Sequence, residues 1–239
     1  MTILCIETST SVCSAAICKD GVPSKQCICL EGSNHARLLP RYIEELLAFA
    51  REQNLSIEAI ALSEGPGSYT GLRIGTSTAK GLCYGLNIPL IPVPTLDVLC
   101  EAARERLKVR GERLEEAILI PLIDARRMEV YTIDAEGKAR AVVVENEESL
   151  LSFSEAVFPP SAKRSIYYFG DGAEKCTKVF TKPNWHFIPN IVPEAQYVGV
   201  LANERVNELA ISGETIAYYE PYYLKEFIAA QSHVKGLKS

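Results

Sequence analysis

Glu64-Gly-Pro-Gly-Ser-Tyr-Thr-Gly-Leu-Arg-Ile-Gly75 is the stretch on which the reading of this chain turns. A glycine-proline turn follows an apolar, strand-like run at residues 57–62. The pattern then becomes helical. Gly67, Gly71 and Gly75 recur every four residues, and Ala79 continues the row. Four residues is just over one helical turn, so these small residues share one side of a helix. Glycine costs a helix interior roughly 1 kcal/mol against alanine. Such a row implies a compensating close approach by another backbone or by a ligand.

Working outward, three strands are expected before this stretch, at residues 3–7, 13–19 and 23–30, with Asp20-Gly21 as the hairpin turn between the second and third. A helix over residues 35–52 follows, capped by Ser33 or Asn34. After the strand at 57–62 come a helix at 68–86 capped by Ser68, a strand at 90–93 and a helix at 95–107. The second half repeats the order. A strand at 118–124 ends in Asp124 as the first ends in Glu7, and Gly137 turns the chain 13 residues after that acid, where Gly21 lies 14 residues after Glu7. Strands at 129–134 and 140–144, a helix at 147–156, a strand at 166–169 running into Gly170-Asp-Gly172, and a last helix at 194–211 complete it. Residues 158–164 and 183–193 read as irregular. The order β-β-β-α-β-α thus occurs twice, which predicts an α/β protein of two lobes, each a mixed sheet with packed helices. The boundaries are 1–110 and 111–239, with the last helix and tail as candidates to return to the first lobe.

The 239 residues suffice for two real cores, and 47% hydrophobic with 23% charged residues is ordinary for a globular chain. No apolar run approaches a membrane span, and the N-terminus lacks a basic segment followed by a long apolar one, the pattern of a cytoplasmic protein. The eight cysteines include no Cys-x-x-Cys pair and are expected as reduced, mostly buried thiols. A net charge of −5 argues against unaided nucleic-acid binding.

Five segments, in order, resemble the bacterial TsaB (YeaZ-type) family: Ile3-Leu-Cys-Ile-Glu-Thr-Ser-Thr10, Gly65 to Gly75, Asp124-Ala-Arg-Arg-Met-Glu-Val-Tyr131, Gly170-Asp-Gly-Ala173 and Pro221-Tyr-Tyr-Leu224. The resemblance covers most of the chain. It implies a duplicated ribonuclease-H-like (actin-like ATPase) fold. It also implies a part in forming N6-threonylcarbamoyladenosine at position 37 of tRNAs that read ANN codons. In that family the protein is a non-catalytic relative and partner of a TsaD-type transferase, and a TsaE-type ATPase joins them. It forms a homodimer when alone, and tRNA is met only through the complex.

Actin-like proteins that use ATP hold its phosphates on two hairpin turns, each with an acid for Mg²⁺ and glycine for close backbone approach. Here Glu7 is followed by Thr8-Ser9-Thr10, and Asp124 by Ala125-Arg126-Arg127, so both acids are present and both glycines are missing. Glu7, Ser9, Asp124, Gly170 and Gly172 are therefore expected to line a vestigial nucleotide cleft, with weak nucleotide binding at most and no metal. The histidines His35, His186 and His233 have no metal-ligand spacing. The competing readings are an ATP-dependent small-molecule kinase or phosphotransferase and, more remotely, a metallopeptidase. Along residues 35–52 the apolar residues Leu38, Leu39, Tyr42, Ile43, Leu46, Leu47, Phe49 and Ala50 span roughly 180°, where core packing alone needs about 100°. The surplus, with the glycine row, suggests a partner surface formed by His35, Leu38, Leu39, Tyr42, Phe49, Gly71, Leu72, Arg73, Gly75 and Ala79.

Overall fold

A computed structural model describes residues 1–30, 32, 34–112, 117–146 and 164–225. The expected helix at 147–156 and the loop at 158–163 lie outside these residues. Strands β1 (Thr2–Glu7), β2 (Cys13–Lys19) and β3 (Val22–Cys29) form an antiparallel meander. Asp20 and Gly21 turn it with φ of 53° and 78°, the paired left-handed geometry that matches the twist of a two-residue hairpin. Strands β4 (Ala59–Gly65) and β5 (Leu90–Pro94) add in parallel, giving the order β3-β2-β1-β4-β5. β4 starts two residues later than expected and runs on to the first glycine of the motif.

Helices α1 (His35–Glu52) and α2 (Tyr69–Leu86) cover one face of this sheet. Leu39 and Leu46 of α1 are fully buried against Leu4, Ile6 and Ile17, and each such side chain contributes about 1.5–3 kcal/mol. Asn34 precedes α1 without a side-chain cap, contrary to expectation. Ser33 lies outside the described residues. Ser68 caps α2 as expected, its hydroxyl accepting from the Gly71 N–H.

The second half keeps the plan with a break in it. The strand expected at 118–124 is two strands, β6 (Ile118–Pro121) and β7 (Ile123–Asp124). Pro121 has no N–H to give a ladder; Leu122 still bonds on the β10 side, to Phe169 O and the Gly172 N–H, and pairing with β8 begins at Ile123. β6 joins β10 (Ile166–Phe169) and β11 (Trp185–Ile188) in a parallel ladder, and β7 joins β8 (Glu129–Ile133) and β9 (Ala139–Val143) in an antiparallel one. Read through Leu122, the order β11-β10-β6/β7-β8-β9 mirrors β5-β4-β1-β2-β3. β11 falls where irregular chain was expected, because its four-residue run Trp-His-Phe-Ile is short and hidden between prolines. A single 3₁₀ turn, Glu174–Cys176, follows Gly172.

Two helices cross between the halves. α3 (Thr95–Val109) buries Leu99, Cys100 and Leu107 against Ile123, Tyr167 and Phe169 of the second half. α4 (Ala195–Leu209) buries Ala195, Val198 and Ala202 against Ile3, Cys5, Ala61 and Val93 of the first sheet. Its first N–H groups go to Ser14 Oγ and Gln26 Oε1, both at 2.9 Å, so the first sheet caps it. A short helix, α5 (Thr215–Tyr218), follows. All eight cysteines are free thiols, seven of them buried.

Gly199 sets how closely α4 seats. A Cβ there would lie 2.2 Å from Cys18 Sγ and 2.9 Å from Cys5 Sγ. Gly199→Val is expected to lose about 1–3 kcal/mol of stability through overpacking, read as a lower urea midpoint with an unchanged slope.

Candidate functional site

The first hairpin turn, where an actin-like protein would meet phosphate, is wrapped by its own chain. Thr8, Ser9 and Thr10 are buried, and Glu7 is fully so. Ser9 donates to Glu7 Oε1 twice, from its N–H and its hydroxyl, each at 2.5 Å. The start of α2 closes on the same turn: the Ser68 N–H reaches Ser9 O at 2.6 Å and the Thr8 hydroxyl donates to Gly71 O at 2.8 Å. A Cβ on Gly67 would lie 2.2 Å from Ser9 O, and one on Gly71 would lie 2.0 Å from Thr8 O. One on Gly75 would lie 2.3 Å from Thr8 Oγ1. Of the two alternatives the glycine spacing left open, the close approach is by another backbone, and that backbone is the chain's own.

This corrects the expected partner surface. Gly71, Leu72, Gly75 and Ala79 are buried and face inward. His35 is also inside: its Nε2 donates to Thr10 O at 2.8 Å, so α1 clamps the turn from the other side. Leu39 is core. Leu38, Tyr42 and Phe49 are half-buried, with Lys25 lying over the Phe49 ring, and Arg73 is exposed.

The outer face offers something else. A groove of about 440 Å³ runs between α1 and α2, lined by Pro40, Ile43, Glu44, Leu47 and Arg51 on one side and Ser77, Thr78, Gly81 and Leu82 on the other. Among the described residues nothing lies within 4 Å of a Cβ built on Gly81 or Gly85. α2 thus carries two glycine sets, the inner one explained by the chain itself and the outer one open. The sequence signal was available, since Gly81 and Gly85 are also four apart, but the longer inner row overshadowed it. Pro40, inside α1 yet tolerated, was a second overlooked sign.

The second turn is filled by a side chain. Lys175 donates to Asp124 Oδ1, to Arg127 O at 3.0 Å and to Glu129 O. Arg126 and Arg127 take φ of 69° and 50°, and Asp124 Oδ1 also accepts from the Arg126 N–H at 2.9 Å. Gly170 and Gly172 again serve close backbone approach. Cβ atoms there would lie 2.3 Å from Leu122 O and 2.8 Å from the Ile123 carbonyl carbon. Asp171 accepts from the Asp124 N–H, and burial pushes its carboxyl above the usual range. His186 lies over Tyr167 on β10, far in the chain from His35, and His233 is outside the described residues.

The model of the TsaD family, tRNA N6-adenosine threonylcarbamoyltransferase, matches residues 30–232. The chain belongs to the TsaD family. Curated proteins similar to it include tRNA threonylcarbamoyladenosine biosynthesis proteins TsaB. That of Haemophilus influenzae is 34% identical over 55% of this chain and 52% of its own length. That of Escherichia coli is 35% identical over 55% and 53%. The chain thus spans about half the length of these two relatives. That of Bacillus subtilis is 28% identical over 90% of this chain and 87% of its own length. A Pseudomonas aeruginosa structure, described as similar to peptidase YeaZ, superposes with a TM-score of 0.70 at 23% identity, covering 94% of this chain and 99% of its own. A second, YeaZ from Pseudomonas aeruginosa, gives 0.68. The resemblance to TsaB (YeaZ-type) proteins and the actin-like, ribonuclease-H-like fold both hold. Among the described residues no helix is long and apolar enough to cross a membrane.

Among the described residues no donor lies within hydrogen-bond geometry of Glu7 Oε2. Burial raises this carboxyl's pKa, and the hydroxyls of Ser63 and Ser9 and the N–H groups of Ser9 and Thr8 offset only part of the rise. An unfolded glutamate ionises near the ordinary value of about 4.3. Above that pH the unfolded chain has lost a proton that the folded chain keeps, so Glu7 lowers stability as pH rises towards its folded pKa. Glu7→Gln is expected to be more stable than wild type at pH 7, with the gap closing towards pH 4, as read by thermal melts across that range.

Proposed function

We propose that the chain is a non-catalytic scaffold subunit in the formation of N6-threonylcarbamoyladenosine at position 37 of tRNAs reading ANN codons. It binds a TsaD-type transferase, a TsaE-type ATPase joins the pair, and tRNA is met through the complex. The observation that carries this reading is that both former phosphate turns are filled from within. Glu7 is engaged by Ser9 while the α2 N-terminus takes the turn's carbonyls, and Asp124 is engaged by the Lys175 ammonium. A Mg²⁺-triphosphate needs free backbone N–H and an approachable carboxylate at those points; the Ser9 N–H is spent on Glu7 Oε1, Glu7 is buried, and Asp124 Oδ1 holds the Lys175 ammonium, so the residues present do not fit it. The names of the TsaB relatives support the pathway.

The groove between α1 and α2 is the surface this reading assigns to the partner. It is apolar at Ile43, Leu47 and Leu82, and charged at its rim by Glu44 and Arg51. The open Gly81 lets another helix approach closely. In isolation a second copy of the chain occupies the same groove. Intact turns with Mg-ATP turnover would favour a phosphotransferase instead, and the filled turns speak against it.

Mixing the chain with its cognate TsaD-type protein is expected to give a heteromeric mass by native mass spectrometry. Leu47→Asp should weaken that complex at least about tenfold, or ~1.4 kcal/mol, while leaving the melt of the free chain within a few degrees. No complex, together with Mg-ATP turnover by the chain alone, would reverse the reading.

A further inference from the structure

The segment after α4 takes no part in the two turns, yet it touches both lobes. Ile211 bridges β5 through Leu90, with N–H to O distances of 2.7 and 2.9 Å. Lys80 of α2 then donates to the carbonyls of Ala217 (2.6 Å) and Tyr219 (3.0 Å), and the Tyr219 hydroxyl reaches Glu64 Oε2 at 3.3 Å. The Tyr222 N–H donates to Glu64 O at 2.8 Å. Tyr222 O comes so near Gly65 that a Cβ there would lie 2.5 Å away. Gly65, at φ 118°, is therefore glycine for the sake of this segment as well as for its own backbone. Tyr223 packs on Tyr69 at the first turn of α2, ring centres 5.0 Å apart. Lys225 ends on the other lobe, in an ion pair with Glu129 of β8.

Between these anchors the segment forms a wall of an interlobe cleft. That cleft, of about 510 Å³, has Glu64–Pro66 and Pro94–Asp97 on one lobe and Ile133 with residues 137–140 on the other. Tyr222 and Leu224 span the gap.

We propose that residues 221–225 are an interlobe clasp: seated on Glu64–Gly65 at one end and held to Glu129 at the other, they fix the angle between the lobes and close this cleft. The clasp rests on these contacts alone and stands whether or not the chain serves a transferase. Because it also packs on Tyr69 at the start of α2, any movement of that helix is felt at the second lobe. The two discrete anchors make it a hinge stop, of the kind that limits domain closure.

The test uses charge reversal in the full chain with hydrogen exchange as the readout. Lys225→Glu and Glu129→Lys each place like charges at the second anchor. Each is expected to speed exchange both in residues 221–225 and in the facing cleft wall, residues 133–140, by roughly two- to fivefold, the scale of an exposed ion pair. The double variant, with the pair restored in reverse, should return both regions to wild-type rates. The strands of the first sheet, residues 3–7 and 13–18, should not change in any variant, which excludes general loss of the fold. Faster exchange confined to residues 221–225, or a double variant that does not recover, would overturn the clasp. Unchanged exchange in both single variants would overturn it equally.

Discussion

The hydrogen bond from the Ser68 N–H to Ser9 O, 2.6 Å long, marks the approach on which the first lobe depends. It brings the N-terminus of a helix against the turn of a hairpin with no room for side chains between them. Three consequences follow from that distance. Positions 67, 71 and 75 are glycine. The turn residues Thr8, Ser9 and Thr10 satisfy their polar groups inside the protein, as buried groups must. And the Ser68 and Gly71 N–H groups at the start of α2 are directed at the Ser9 carbonyl and the Ser68 hydroxyl of the same chain. A helix start and a turn that in a nucleotide-using relative would face a ligand instead face each other.

The second lobe reaches the same end by different chemistry. Gly170 and Gly172 bring the strand-to-turn segment against Leu122 and Ile123, as Gly67 and Gly71 do against Ser9 and Thr8. The acid, however, is met by a lysine from the following 3₁₀ turn. An ammonium with three donors satisfies Asp124 and the Arg127 and Glu129 carbonyls together, which a small cation would otherwise do. The duplicated architecture thus carries two acid-bearing turns, each engaged by groups of the same chain. Through α3 and α4 each half contributes a helix to the other's sheet.

Much of this was legible in the sequence because it rests on local chemistry. β2, α1 and β10 have the bounds their patterning implies, and the Asp20-Gly21 turn follows from residue type alone. The absence of glycine after Glu7 and Asp124 is likewise a local feature of the sequence. The direction of the glycine row is not. Spacing fixes which side of a helix is small, and only packing decides whether that side meets the chain or a partner. The same limit hid Lys175, whose role depends on a fold-back of about fifty residues, and the 221–225 segment, whose partners are at residues 64, 69 and 129. β11 was missed because four residues between prolines carry too little periodicity to distinguish a strand from a loop.

Two alanine substitutions on the same helix, compared by equilibrium urea unfolding, test the inward direction of the glycine row most directly. Gly71→Ala forces a Cβ to within 2.0 Å of Thr8 O, whereas Gly81→Ala meets nothing within 4 Å among the described residues. The account predicts opposite signs: Gly71→Ala loses about 1–3 kcal/mol to overpacking, and Gly81→Ala gains up to about 1 kcal/mol from helix propensity. A Gly71→Ala protein as stable as Gly81→Ala, or more so, would mean that the row does not grip the first turn, and the account would be wrong.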